Sequence, residues 1–296
     1  MRSISTYTIL FILIMLASCE KEFIPEGNES KITLNCLFDN ADVIHVYVTE
    51  SDPLGTWHEF ISLSDSKVEI LEEDIFKEEM LYVPSDTANT FGSYQSSFIP
   101  TPGKRYSLEI KHPLYNSVTV KDEMPLVTVI SSAQRVTRGN RNKGIVAVVE
   151  ISFQDDINTD NFYRLNLRHW LQAYIPEIED TVEYESHIYF ETEESVSDSI
   201  RDHGIALLFS DKDFNGEFRT LRLHYRPERY NRFIQVILHV ELFTVSKAHF
   251  EYFRTLQSYW ERDRSNPEWP NVFTNVENGY GIFAGSAVDS VRIVMK

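Results

Sequence analysis

Alternation with a period of two runs through most of this chain. Ile44, Val46 and Val48 are separated by His45 and Tyr47, Leu108 and Ile110 follow Pro102-Gly103, and Val118 and Val120 follow Pro113. Leu34, Cys36 and Phe38 share one face in the same way, which makes Cys36 a small buried apolar residue. Successive side chains of a strand point to opposite faces, so such rows predict half-buried β-strands. Their length and spacing over residues 31–125 match a small β-sandwich that ends at Met124-Pro125. Residues 126–296 repeat the logic with longer rows: Val149, Ile151 and Phe153; then Tyr163, Leu165 and Leu167; then Leu221, Leu223 and Tyr225. The clearest is Ile234, Val236, Leu238, Val240 and Leu242, with Gln235, His239 and Glu241 opposite. These rows predict a second, larger β-rich domain that closes with a strand near residues 291–295.

One stretch changes period. After Ser246, an N-cap residue type, Phe250, Phe253, Leu256 and Trp260 recur at helical spacing, which predicts one helix packed on the sheet. Residues 174–204 have few apolar positions and many acidic ones, among them Glu177, Glu179, Asp180, Glu183 and Glu185. They read as a long solvated excursion around a short strand at 187–190.

The N-terminus is of a different kind. Arg2 precedes an apolar run from Ile9 to Ala17, whose nine residues would rise about 14 Å as a helix, against a hydrocarbon core of roughly 30 Å. The run is too short to span and has the form of a signal peptide, residues 1–18. Leu16-Ala17-Ser18-Cys19 resembles the bacterial lipobox, in which the cysteine takes a diacylglyceryl group and becomes the first mature residue. Residues 19–30, rich in Glu, with Pro25 and Gly27, then form a tether with a reach of about 20 Å.

Charge narrows the partners. There are 45 acidic residues against 28 basic ones, a net of −17, which opposes nucleic-acid binding because phosphates need Lys and Arg clusters. With Cys19 lipidated, Cys36 has no intrachain partner for a disulfide.

Catalytic patterns are sparse. The nine histidines show no H-E-x-x-H spacing, and Ser286 lacks a G-x-S-x-G elbow. The glycines from Gly279 to Gly285 have too little chain after them for a βαβ unit, so they read as bend and close-packing positions rather than a dinucleotide fingerprint. Asp211, Asp213 and Asn215, followed by Gly216, fit the start of a calcium loop, but Arg222 occupies the position of the bidentate Glu. The competing and preferred reading is an Asn-Gly hairpin turn between strands at 205–209 and 218–225. Trp57, Trp269 and Tyr280, in or near turns, are candidates for ligand or partner contact. No catalytic residue, resident metal or other cofactor is expected.

Several short motifs, in order, carry a resemblance. They are the lipobox at Cys19, the strand pair around residues 32–48, Pro102-Gly103 to Leu108, Met124-Pro125, Phe153-Gln154-Asp155 and Asn161-Phe162-Tyr163. Leu208 to Asp211 with Asn215-Gly216, the helix before Trp260 and Asn275 to Phe283 complete the series. The chain resembles the Bacteroidetes lipoproteins grouped under domain of unknown function 4249. The resemblance implies an immunoglobulin-like N-terminal sandwich followed by a larger β-rich domain, and supplies no catalytic residue. It implies an outer-membrane, cell-surface location, which the acidic residues after Cys19 match, with the periplasmic face as the alternative. It also implies an accessory role beside a TonB-dependent receptor. Two other functions stand against that expectation: a structural or adhesive surface lipoprotein, and a hydrolase using an acidic pair such as Glu191 and Glu193.

Overall fold

A computed structural model describes residues 30–51, 61–85, 91–141, 144–192, 196, 198–202, 204–227, 233–261 and 270–295, with backbone alone for 137–141 and 144–146. The signal segment, Cys19 with its tether up to residue 29, Trp57, Glu193 and Trp269 lie outside the described residues.

The alternating rows of the first half become eight strands. They are β1 (Ile32–Phe38), β2 (His45–Glu50), β3 (Lys67–Glu72), β4 (Ile75–Glu79), β5 (Leu81–Val83), β6 (Ser93–Gln95), β7 (Arg105–His112) and β8 (Tyr115–Glu123). The second half adds β9 (Ile130–Arg141), β10 (Gly144–Gln154), β11 (Phe162–Ile175), β12 (Asp180–His187) and β13 (Phe190–Thr192). It continues with β14 (Ile200–Asp202), β15 (Ala206–Ser210), β16 (Phe218–Tyr225), β17 (Gln235–Val245), the helix α1 (Lys247–Glu261) and β18 (Tyr280–Val294). The protein is mostly β, with a single helix among the described residues.

One long sheet runs β14-β15-β11-β17-β18-β1-β2-β6-β5, with β12 also paired to β11. Two four-stranded sheets, β4-β3-β7-β8 and β13-β16-β10-β9, complete the layers. Apolar residues of β1, β2 and β6 share one core with those of β3, β7 and β8, including Leu34, Val46, Ile70, Leu108 and Val118. This is a β-sandwich. A second core joins β11, β15 and β17 to β10, β13 and β16 through Val149, Phe153, Leu165, Leu223 and Val240. Period-two alternation puts these residues on one face of each strand, where burial of each side chain contributes about 1.5–3 kcal/mol.

β18 crosses the 125/126 division drawn from sequence. Its first six residues, Tyr280 to Gly285, pair in parallel with β1, while Ser286 to Val294 pair antiparallel with β17. Phe283 and Ala287 therefore lie in the first core, and Val291 and Ile293 pack on the second. Backbone groups at the hand-over turn to side chains instead of a neighbouring strand. Asp122 accepts the Gly285 N–H at 2.8 Å, Asn40 brackets Val288 through its N–H at 2.7 Å and C=O at 3.3 Å, and Asn275 does the same for Phe283. Buried backbone donors and acceptors need such partners. The expected close-packing role of the glycines is realised here: Gly281 has φ +103°, and a Cβ there would lie 1.8 Å from the Leu34 carbonyl oxygen.

Three local expectations need correction. The acidic stretch, expected as a solvated excursion around a short strand at 187–190, holds a strand of its own, β12, which pairs with β11 from Arg168–His187 to Ile175–Asp180, while Ile188 and Tyr189 lie between β12 and β13. The turn at Asn215-Gly216 does not close a hairpin, because β15 lies in the long sheet and β16 in the β13-β16-β10-β9 sheet. In α1 the apolar stripe stops short: Phe250 is buried and Phe253 packs beside it, whereas Trp260 is 66% exposed. Ser246 does cap the helix, accepting the His249 N–H on Oγ at 3.2 Å.

Candidate functional site

Motifs that are separate in sequence converge at the loop joining β15 to β16. Asp155, just after β10, is 3% exposed and ties two other segments to its own with one carboxylate. Its Oδ1 accepts the Tyr163 hydroxyl at 2.5 Å and the Asn161 amide at 3.2 Å, and its Oδ2 accepts the Gly216 N–H at 2.6 Å. Burial and that carboxylate push the Tyr163 phenol up, so it stays a donor. Asp211 ties the loop to the start of β11: its Oδ2 accepts the Asn161 N–H at 2.6 Å and its own N–H donates to the Asn161 carbonyl at 3.0 Å. Gly216, with φ +76°, makes the turn that a side chain would strain.

This rigid loop forms one wall of a cleft of about 500 Å³. Asp160 and Phe162 at the start of β11, Asp198, Ser210 to Lys212 with Asn215, and Phe250, Glu251 and Arg254 of α1 line it. The Phe162 and Phe250 rings stack at 4.8 Å, giving the cleft an aromatic side. Lys212 Nζ lies 3.3 Å from Asp198, and the Arg254 guanidinium holds Glu251 within its own turn of helix. Among the described residues Asp160 and Asp211 have no cationic partner, so two of the four carboxylates stand uncompensated. Burial pushes the Asp211 carboxyl above its ordinary range, and the charges of Asp155 and Asp160 add to that. Ser210 is 7% exposed, and its Oγ has no hydrogen-bond partner among the described residues.

Beneath α1, on the same face of the long sheet, lies a second polar group. His249 is buried, neither ring nitrogen is hydrogen-bonded among the described residues, and burial beside Arg164 pushes its pKa down to about 3. Arg164 reaches Asp202 at 3.3 Å and stands over the Phe253 ring at 5.1 Å.

Asp211 and Asn215 line the cleft; Asp213 is exposed on the same loop and is not among the lining residues. No group of three His, Cys, Asp or Glu suited to a metal ion occurs among the described residues. Tyr280 opens β18 opposite Thr33 of β1 and does not line the cleft; it is 44% exposed, with the Lys31 ammonium 5.3 Å from its ring centre. Glu191 is exposed on β13, opposite His224. Cys36 is a free, buried thiol whose pKa burial drives strongly upward, so it is inert at neutral pH. Sequence reasoning missed Asp160, Asp198, Phe162, Glu251 and Arg254, because only the packing of α1 on β11 and β15 brings them to one place.

A comparison with curated proteins finds no match. The family described as a domain of unknown function, DUF4249, matches residues 20–292, nearly the whole chain, and its match begins one residue after Cys19. The chain therefore belongs to the DUF4249 family.

Proposed function

We propose that this chain is a lipid-anchored binding protein of the outer membrane of a Bacteroidetes-type envelope, displayed at the cell surface as an accessory to a TonB-dependent transporter. The observation that carries the reading is the junction at Cys19. An apolar run too short to span ends in Leu16-Ala17-Ser18-Cys19, and the family match starts at residue 20. Acyl chains on Cys19 would hold the protein at the bilayer, since each buried methylene contributes about 0.8 kcal/mol and one chain alone binds only marginally. Among the described residues no helix is long and apolar enough to cross a membrane. The body offers a continuous sheet and a preformed acidic cleft, features suited to binding. Pairing with a TonB-dependent receptor follows from the resemblance to lipoproteins of this kind.

Affinity purification of the tagged full-length protein from gently solubilised outer membranes tests the partner. A TonB-dependent receptor should be recovered in near-stoichiometric amount. Recovery of the lipoprotein without any such receptor contradicts the accessory role.

A further inference from the structure

We propose that the cleft between the 210–217 loop and α1 binds an ammonium or guanidinium group on a short apolar stem, supplied as a Lys or Arg side chain of a peptide ligand. The proposal rests on the binding-protein reading and names the ligand chemistry of its site. Four acidic and two basic side chains line the cleft, and each basic one is already engaged: Lys212 with Asp198, Arg254 with Glu251. Asp160 and Asp211 are left facing the same space, so the cleft is short of positive charge by two. A volume of about 500 Å³ is far larger than a bare ion needs and falls in the range of small organic ligand sites. The half-buried Phe162 ring, backed by the buried Phe250 ring stacked on it, supplies an apolar and cation-attracting surface for the stem and head of such a group. The Ser210 hydroxyl, buried without a partner among the described residues, is the kind of polar group that a ligand donor relieves. The raised carboxyl of Asp211 points the same way, because a cation beside it would restore its ordinary acidity. The net charge of −17 adds a long-range field that draws basic ligands in.

The test is calorimetric titration of the full-length protein in mild detergent with the capped tripeptide Gly-Arg-Gly, its citrulline counterpart and calcium chloride. Citrulline keeps the shape of Arg and removes its charge. The Arg peptide should bind about tenfold more tightly than the citrulline peptide or better. Asp160→Asn should weaken Arg-peptide binding by about tenfold while leaving thermal unfolding unchanged, since Asp160 is exposed. Asp211→Asn, which keeps an oxygen for the Asn161 N–H, is the second variant and should act in the same direction. No heat with the Arg peptide, equal binding of citrulline, or unaltered affinity in both variants overturns the proposal. Saturable calcium binding that Asp160→Asn abolishes, with the peptide inert, overturns it as well by making the cleft a metal site. The titration uses isolated protein, so its failure is separate from failure of the receptor to copurify.

Discussion

Single side chains do unusual structural duty in this protein, and Asp122 shows how. It sits where β18 changes partners, accepts the Gly285 N–H, and is largely enclosed. Burial pushes its carboxyl up to about 6, with hydrogen bonds from Ser246 and the Gly285 backbone working against that shift. The folded state thus keeps this proton to higher pH than the unfolded chain, whose carboxyl titrates near 4. Its contribution to stability is fully present below about pH 4 and is lost as pH rises through about 6, with an upper bound of about 3 kcal/mol. His249 works in the opposite sense: held neutral down to about 3, it contributes above the ordinary histidine range and its contribution is lost on acidification. Comparison of Asp122→Asn with the parent isolates the first effect. Urea midpoints at pH 4.5 and 7.5 should show the variant gaining on the parent by about 1–3 kcal/mol between the two pH values. Identical pH dependence in both proteins would rule this out. Sequence shows an acidic residue at 122 but not that a strand would end its pairing beside it.

Among the elements, legibility followed the environment of each face. Strands with an apolar core face and a more polar opposite face, such as β2, β7, β11 and β17, carry alternation and are readable, even where α1 covers part of the second face of β11 and β17. β12 has no buried residue on either face, so its sequence carries no alternating row and reads as loop. β18 fails for the opposite reason: from Ile282 to Ala287 every residue is buried, and small side chains such as Ala284 and Gly285 erase the period. A local turn signal at Asn215-Gly216 marks a reversal but says nothing about which sheet receives the next strand. The parallel contact of β1 with β18 is the element-level feature most sensitive to substitution. Gly281→Ala would force a methyl group onto the Leu34 carbonyl and an L-residue to φ +103°. We expect a loss of at least about 3 kcal/mol in chemical denaturation, or failure to accumulate as soluble protein. A soluble variant within about 1 kcal/mol of the parent would contradict the pairing.

For the molecule as a whole, the fold and the function were legible to different degrees. The β-rich class, the N-terminal sandwich and the packed helix follow from periodicity alone. The cleft does not, because its residues come from four segments separated by up to 94 positions between Asp160 and Arg254. Asp211 and Asn215 were visible as oxygen donors at alternate positions, while the aromatic pair beside them depends on α1 folding back over the start of β11. Among the described residues the long sheet joins both cores, and the tether residues precede it in the chain. Function depends on where this body is held. Growth with radiolabelled palmitate, followed by membrane sedimentation of the parent and Cys19→Ala proteins, measures this most directly. Label is expected in the parent and none in the variant, with the parent pelleting with membranes and the variant released. A parent that never takes up label, together with a variant that pellets equally well, would contradict it.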